Sequence, residues 1–196
     1  MLHRPVIILT AFCLTLLLSC QEAPSILSPT EAVQTYYDGI NAFDFDLTRS
    51  VLTDSIALIE GEYQSLFSQE EYYTLFQWDS VFVPQVTLSN LQEEGNQVTV
   101  LVSTSSVRLA YLDHAPHSCN TTFIVESGKI QSLETGECPE ESRPLWESKR
   151  DTLVTWIDAN HPELNGFIHE LTKTGAENYV EAIRLYENRT PRPTTQ

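Results

Sequence analysis

The spacing of apolar residues changes along the chain, and each change marks a different kind of element. A capping box of Ser28 and Glu31, with Pro29 at the first helical position, predicts a helix over about 29–42. Its apolar stripe is Val33, Tyr36, Tyr37 and Ile40. A second short helix is expected behind Asp44. Its apolar residues are Leu47, Val51 and Leu52, and it is expected to end near Thr53 and Asp54.

The middle of the chain is predicted to be mainly strand. A strand is expected at 56–62, and a second capping box, Ser68 with Glu71, predicts a third helix that ends near Trp78. From Pro84 onward, apolar and polar residues alternate and β-branched residues are frequent, as is typical of strands. The four strands expected there lie at about 84–92, 96–110, 118–126 and 129–136 and are joined largely as hairpins.

The last third returns to helical spacing. One helical face carries Trp146, Leu153, Trp156 and Ile157, and a break is expected at Asn160, His161 and Pro162. A last helix is expected to start at Thr174 and Glu177, with a buried stripe of Tyr179, Ala182, Ile183 and Tyr186. This order of elements predicts one α+β domain with a mostly antiparallel sheet.

Two stretches carry a resemblance to a known superfamily. The opening run PTEAVQTYYDGINAFDFDLTRSVLTDSIALIEG and the later segments GNQVTVLV and FIVESGKIQSLE resemble the nuclear transport factor 2-like superfamily, which is also called SnoaL-like or ketosteroid-isomerase-like. The resemblance covers about 28–136 and implies a cone, in which a curved sheet wraps on the N-terminal helices and encloses a pocket. Residues 140–189 depart from the short catalytic members, and their helices look more like the ends of exported members from Bacteroidetes-type bacteria.

The same resemblance suggests two catalytic candidates. Tyr36 falls where ketosteroid isomerases carry an oxyanion-stabilising tyrosine, and Glu60 falls where they carry an aspartate base. Asn120 stands roughly where an acidic partner is expected, which is a departure from their pattern. The alternative is that Tyr36 belongs to the core and that Glu60 is solvated at a strand end.

Candidate pocket residues come from an aromatic-rich stretch and from one arginine. The aromatic candidates Tyr63, Phe76 and Trp78 lie in a stretch dense enough to line an apolar pocket, although ordinary cores use the same residues. Arg108 continues the apolar side of the strand that carries Val102, so it is buried beside an anionic partner or ligand unless the strand has left the core by then. Asn120 completes this candidate set.

The first twenty residues predict export. His3 and Arg4 precede an apolar run from Val6 to Leu18, which at about 1.5 Å per residue is too short for a stable membrane span. Leu17-Leu18-Ser19-Cys20 resembles the lipobox of bacterial lipoproteins, which implies cleavage before Cys20 and acylation of its thiol. Gln21 does not resemble the aspartate that retains some lipoproteins at the inner membrane, so we expect the outer membrane of the cell envelope.

The cysteines that remain predict a disulfide. Cys13 leaves with the signal peptide and Cys20 takes the lipid, so Cys119 and Cys138 are expected to pair in an oxidising compartment. The alternative is two free thiols. Asp113, His114, His117 and Cys119 are of metal-ligand type but match no known spacing, and we expect neither a metal nor a cofactor.

Net charge limits the possible partners, and chain length limits the number of domains. Loss of residues 1–19 removes Arg4 and takes the formal net charge from −16 to −17, so nucleic acid is not expected as a partner. We expect a signal peptide at 1–19, a tether at 20–27, one domain at 28–189 with a helical extension at 139–189, and a disordered tail at 190–196. The domain is expected to bind a small apolar ligand or an envelope protein without catalysis, and the superfamily resemblance implies a homodimer. The alternative is an isomerase, cyclase or dehydratase that uses Glu60 and Tyr36.

Overall fold

One six-stranded sheet organises the protein. The computed structural model describes residues 26–112, 115–138 and 143–189. The strands are β1 (Leu52–Glu60), β2 (Tyr63–Ser68), β3 (Gln85–Glu94), β4 (Gln97–Ser105), β5 (His117–Glu126) and β6 (Lys129–Thr135). Their order is β2-β1-β6-β5-β4-β3, and every pair is antiparallel except β1 with β6. The register shifts within the β1–β6, β3–β4 and β5–β6 pairs, and such irregularities bend a sheet.

Helices precede, interrupt and follow the sheet. They are α1 (Pro29–Ala42), α2 (Phe45–Arg49), α3 (Gln69–Val81), α4 (Val107–Tyr111), α5 (Arg143–Asn160) and α6 (Lys173–Glu187). Short 3-10 turns at Pro162–Leu164 and Phe167–His169 connect α5 to α6. The predicted α+β class and the helical extension are therefore confirmed. None of the helices in the described ranges has the length and apolarity that a membrane span requires.

Both predicted capping boxes are confirmed. The Ser28 hydroxyl accepts from the Glu31 amide at 3.2 Å, and the Glu31 carboxylate accepts from the Ser28 amide at 2.8 Å. Ser68 and Glu71 repeat this exchange at 3.3 and 2.8 Å at the start of α3. These local signals set where α1 and α3 begin.

Several predicted boundaries were wrong for local reasons. The second helix ends at Arg49, and Leu52 already belongs to β1. The strand predicted at 96–110 ends at Ser105, because the Ser106 hydroxyl accepts from the Leu109 amide at 3.1 Å and starts α4. The last helix is capped by Thr172 rather than Thr174, since the Thr172 hydroxyl accepts from the Gly175 amide at 3.2 Å. Strand β2 was not predicted.

Two hydrophobic clusters lie against α3. The sheet core contains the buried faces of α1 and the strands, with Tyr36, Tyr72 and Phe123 among its large residues. The helical cluster joins Trp78 and Phe82 to residues of α5 and α6 such as Leu153, Ile157 and Tyr179. Leu75 of α3 packs against both clusters. Helix α3 is therefore shared by the sheet core and by the C-terminal extension.

The expected disulfide is confirmed. Cys119 of β5 is bonded to Cys138, 19 residues further on, with an S–S distance of 2.01 Å. It joins β5 to the segment that follows β6. The predicted signal peptide, Cys20 and the predicted tail at 190–196 lie outside the described residues.

Candidate functional site

A groove on the outside of the helical layer has a volume of about 1000 Å³. It lies between α2 and α3, with Lys173 at the start of α6 also in its wall. The residues that line it, called the outer groove here, are Phe43, Asp44, Phe45, Asp46, Arg49, Gln69, Glu70, Tyr73, Phe76, Gln77, Ser80, Val81, Val83 and Lys173. Among the predicted pocket residues, Phe76 lines this groove.

Local sequence signals build the groove. Phe43 takes a left-handed conformation (φ 56°) and ends α1, and Asp44 then caps α2 by accepting from the Leu47 amide at 3.0 Å. This sharp turn brings Phe45 against α3, where its ring centroid lies 4.7 Å from Tyr73 and 5.2 Å from Phe76. The result is an aromatic wall that is partly open to solvent.

The rim of the groove carries charges of both signs. Arg49 lies 3.0 Å from Asp46, and Lys173 lies 3.9 Å from Glu177, in two exposed ion pairs. Exposed pairs of this kind contribute little to stability and are screened by salt. The groove therefore combines an apolar wall with a polar rim of mixed charge.

A second polar arrangement lies inside the fold. The hydroxyls of Tyr36 on α1 and Tyr72 on α3 form a short hydrogen bond, and both residues are buried. Burial and the neighbouring Tyr72 hydroxyl raise the pKa of Tyr36 well above its ordinary value, and burial also raises the pKa of Tyr72. Both phenols are therefore neutral hydrogen-bonding groups within the sheet core.

Asp79 is the carboxylate that couples to this tyrosine pair. It lies seven residues after Tyr72 on α3, so both residues project from the same side of the helix. Its side chain is exposed to solvent, yet dense surrounding protein raises the pKa of its carboxyl to about 6, against the opposing effect of Arg108.

Arg108 packs against the helical cluster. Its guanidinium carbon is 4.8 Å from the ring centroid of Trp78 and 5.3 Å from that of Phe82, in cation–π contact with both. The Nε of Arg108 and the Nε1 of Trp78 are both buried, and neither has a hydrogen-bond partner among the residues that the structure describes. The expected position of Arg108 on a strand was wrong, because β4 ends at Ser105 and Arg108 lies half-buried on α4. Its charge acts on the carboxyl of Asp79.

The two catalytic candidates occupy different environments. Tyr36 is 3% exposed in the sheet core, whereas Glu60 is exposed at the end of β1, where the chain turns into β2. Asp79, and not Glu60, is among the groups that raise the pKa of Tyr36. Glu60 and Tyr36 therefore do not share one enclosed site, because Glu60 is exposed to solvent at the end of its strand.

The other predicted pocket residues are scattered. Tyr63 is 82% exposed on β2, and Trp78 is buried in the helical cluster. Asn120 is exposed on β5, on the face opposite to the buried residues Cys119 and Thr121. These placements correct the expectation that one pocket gathers all five candidates, because alternation along β5 turns Asn120 outward.

A metal site is not available at the disulfide. One donor atom from each of His117, Cys119 and Cys138 lies within 4.8 Å of the others. Both sulfurs are consumed by the disulfide, and metals bind the thiolate rather than a disulfide sulfur. Asp113 and His114 lie outside the described residues.

Comparison with solved structures returns likenesses of fold. An NTF2-like protein of unknown function from Cytophaga hutchinsonii is 15% identical, with a TM-score of 0.49 over 63% of this chain and 99% of that chain. IdmH from Streptomyces antibioticus, a proposed polyketide cyclase, is 12% identical over 64% of this chain and 99% of its own, with a TM-score of 0.47. TerC, crystallised with polyporic acid, is 14% identical over 61% of this chain and 98% of its own, with a TM-score of 0.46.

The chain is similar in fold to nuclear transport factor 2-like proteins. No protein-family model and no curated protein matches it. A likeness of fold at identities this low carries neither ligand nor reaction over to this chain.

The sequence analysis did not identify Asp79 beside the tyrosine pair, nor Phe43 and Phe45 in the outer groove. Asp79 fell beyond the predicted end of α3 near Trp78, although the continued helix places it in line with Tyr72. The contribution of Phe43 and Phe45 depends on the turn between α1 and α2. The sequence signal for that turn was Asp44 as a helix cap, directly flanked by two phenylalanines.

Proposed function

We propose that the mature chain is a lipid-anchored protein of the bacterial envelope whose outer groove binds a small amphipathic molecule. The observation that carries the binding proposal is the outer groove, with its volume of about 1000 Å³ and its wall of Phe43, Phe45, Tyr73 and Phe76. Small-molecule sites commonly combine an apolar aromatic wall with a few polar groups, in cavities of about 300–1000 Å³.

The charges at the rim define the chemistry of the ligand. Asp46 and Arg49 present one charge of each sign on α2, and Lys173 adds a cation from α6. A ligand with an apolar body and a zwitterionic or uncharged polar end fits this rim better than a polyanion, which the strongly acidic chain repels.

The polar groups of the groove favour binding over catalysis. Asp44 caps α2, Asp46 pairs with Arg49, and the Ser80 hydroxyl donates to the Phe76 carbonyl at 2.7 Å. Each of these side chains is engaged in local structure, which disfavours their use as a base or nucleophile. The buried Tyr36–Tyr72 pair belongs to the sheet core rather than to the wall of this groove.

The membrane anchor is supported by the sequence around Cys20. Two or more acyl chains on that thiol hold a protein stably on a bilayer. Metabolic labelling with a fatty acid is expected to label the wild-type chain and not the Cys20→Ala variant. Label retained in that variant would contradict an anchor at Cys20.

Ligand binding is tested on the mature chain after export to an oxidising compartment. Native mass spectrometry is expected to show a mass excess that disappears on denaturation, which would identify the bound molecule by its mass. Titration with a fluorescent amphipathic probe is then compared between wild type and Tyr73→Ser, whose ring is 42% exposed in the groove. Loss of this ring is expected to weaken binding about threefold to tenfold.

Tyr63→Ser is the matched control, because it removes the same phenol ring at a position that is 82% exposed and lies outside the groove. Equal weakening in both variants would show that the probe binds exposed aromatics in general. Absence of both a mass excess and saturable probe binding would reject the small-molecule proposal and favour a protein partner at this groove.

A further inference from the structure

We infer that His117, Cys119 and Cys138 form a zinc site once a dithiol has reduced the disulfide between the two cysteines. In the oxidised form, the donor atoms of these three residues already lie within 4.8 Å of one another. The Nε2 of His117 is 3.2 Å from the Sγ of Cys119, and that sulfur is bonded to the Sγ of Cys138. Reduction therefore places two thiols beside an imidazole, which together are a ligand set that zinc prefers.

Strand geometry brings the three donors together. His117 and Cys119 are two residues apart on β5, so their side chains leave the same face of the sheet. Beyond the end of β6, the Asn120 amide donates to the Glu137 carbonyl at 2.9 Å, which holds the chain alongside β5 just before Cys138. This backbone contact does not involve the sulfurs, so it keeps the donors close to one another after the disulfide is reduced.

The reduction is a thiol–disulfide exchange. A dithiol attacks one sulfur of the Cys119–Cys138 bond, passes two electrons and two protons to the cysteine pair, and leaves as its own disulfide. Zn²⁺ then displaces the two thiol protons and accepts a lone pair from the neutral imidazole of His117, so the resulting complex has no net charge. Three protein donors leave one position of the zinc tetrahedron for water, as in zinc sites that keep an open position.

The chemistry and exposure of the site favour a borderline-soft cation. Thiolate and imidazole ligands select zinc over calcium and magnesium, which require oxygen ligands. The formal net charge of −16 attracts cations to the chain and repels anions. Cys119 is 5% exposed, whereas His117 and Cys138 are half-buried, so a metal ion reaches the cluster from the side of these two residues.

The test uses the chain from residue 20 onward with Cys20→Ala, in which Cys119 and Cys138 are the only cysteines. After reduction with a phosphine, this chain is expected to bind one Co²⁺ per molecule, with the sulfur-to-cobalt charge-transfer absorption of thiolate ligands, and Zn²⁺ should displace the cobalt. The oxidised chain is expected to show no such absorption, because its sulfurs are not thiolates. Zinc should raise the urea midpoint of the reduced chain and leave that of the oxidised chain unchanged.

His117→Ala distinguishes this three-residue site from zinc binding by two thiols alone. Loss of the imidazole is expected to weaken zinc binding by the reduced chain at least about tenfold, measured by competition with a chromophoric chelator. His117→Gln, which keeps a polar side chain but offers no imidazole nitrogen, should weaken it similarly. His169→Ala removes an exposed histidine that is not part of the cluster, so it is the matched control and should leave the affinity unchanged.

Three results would each overturn the inference. They are a reduced chain that binds no zinc, a zinc affinity that His117→Ala and His117→Gln leave unchanged, and a thiolate–cobalt absorption that is equally strong in the oxidised chain. A urea midpoint of the reduced chain that zinc does not raise would also overturn it, since a site formed by the fold must stabilise the fold when it is occupied.

Discussion

The two hydrophobic clusters on either side of α3 differ in whether their buried polar groups are hydrogen-bonded. In the sheet core, the buried hydroxyls of Tyr36 and Tyr72 are bonded to each other. In and beside the helical cluster, the buried Arg108 Nε and Trp78 Nε1 have no hydrogen-bond partner in the described ranges. Buried polar groups in proteins are nearly always satisfied, and exceptions concentrate where function rather than stability keeps a residue. From this contrast we expect the tyrosine pair of the sheet core to contribute to stability and Arg108 to be kept for function.

The largest expected effects come from cavities in either cluster. Phe123 is completely buried and its ring contacts Tyr36 and Tyr37, so Phe123→Ala should lower the free energy of unfolding by about 3–5 kcal/mol. Ile157→Ala in the helical cluster should cost about 2–5 kcal/mol. Because α3 belongs to both clusters, urea denaturation followed by far-UV circular dichroism and by fluorescence should give one coincident transition for each variant. Separate transitions would show that the extension unfolds on its own.

The disulfide is expected to have the next largest effect, and it acts on the sheet side alone. Replacing Cys119 and Cys138 together by serine opens a loop of 19 residues. The chain-entropy account gives a loss of roughly 3 kcal/mol in the free energy of unfolding, measured as a lower urea midpoint. Reduction of the wild type with a thiol should reproduce the variant, and a midpoint unchanged by either treatment would contradict the structural role of this bond.

Removal of one hydroxyl from the tyrosine pair should have a smaller effect. Tyr72→Phe leaves the Tyr36 hydroxyl buried without its partner, at a cost of about 1–2 kcal/mol. The double variant Tyr36→Phe with Tyr72→Phe should cost less than the sum of the two single variants, because no orphan hydroxyl remains. Strict additivity in this double-mutant cycle would mean that the two hydroxyls do not depend on each other.

Arg108→Met tests whether Arg108 stabilises the helical cluster. The substitution keeps an unbranched chain over Trp78 and Phe82 and removes a half-buried charge whose Nε is unpaired. We expect a change within about 1 kcal/mol of zero, or a gain, in the free energy of unfolding. A loss of several kcal/mol in urea denaturation would show that this side chain is a structural member of the helical cluster.

The smallest expected effect is a pH dependence. Desolvation by the surrounding protein raises the pKa of Asp79 to about 6 from an ordinary value of 3.8, so the folded protein binds this proton more tightly than the unfolded chain. The stabilising contribution is therefore present below pH 4 and is lost as the pH rises through 6. Arg108 favours the ionised form, whereas Tyr36 and Tyr72 offer no compensating charge. Asp79→Asn should raise the melting temperature relative to wild type more at pH 7 than at pH 4, and the opposite ordering would contradict this assignment.

Local capping signals explain which elements could be predicted. The starts of α1 and α3 followed from Ser28–Glu31 and Ser68–Glu71, because a capping box is complete within four residues. Strands β3 to β6 followed from alternation that matches one buried face. Strand β2 could not be found this way, because nearly all of its residues are exposed and no period results, although Gly61 between two glutamates (φ 58°) marks the turn that precedes it.

The candidate sites were harder to predict because they depend on tertiary contacts. Arg108 was placed on a strand, since the apolar alternation of β4 gives no warning of the cap at Ser106. Glu60 and Tyr36 were matched through a resemblance that fixes positions along the chain but not exposure. The outer groove combines residues of α2, α3 and α6 that are more than 100 positions apart, from Phe43 to Lys173, and no local pattern joins them.

The two faces of α3 are expected to accept substitutions at different rates among homologues. Its residues Tyr72, Leu75 and Trp78 each pack into a cluster, so substitutions there must suit a core, and these positions should diverge slowly among homologues. Tyr73 and Gln77 face the outer groove and belong to neither cluster. If they nevertheless diverge as slowly as Tyr72, selection for a bound molecule is the remaining constraint, so the substitution rates along this one helix record whether the groove is used.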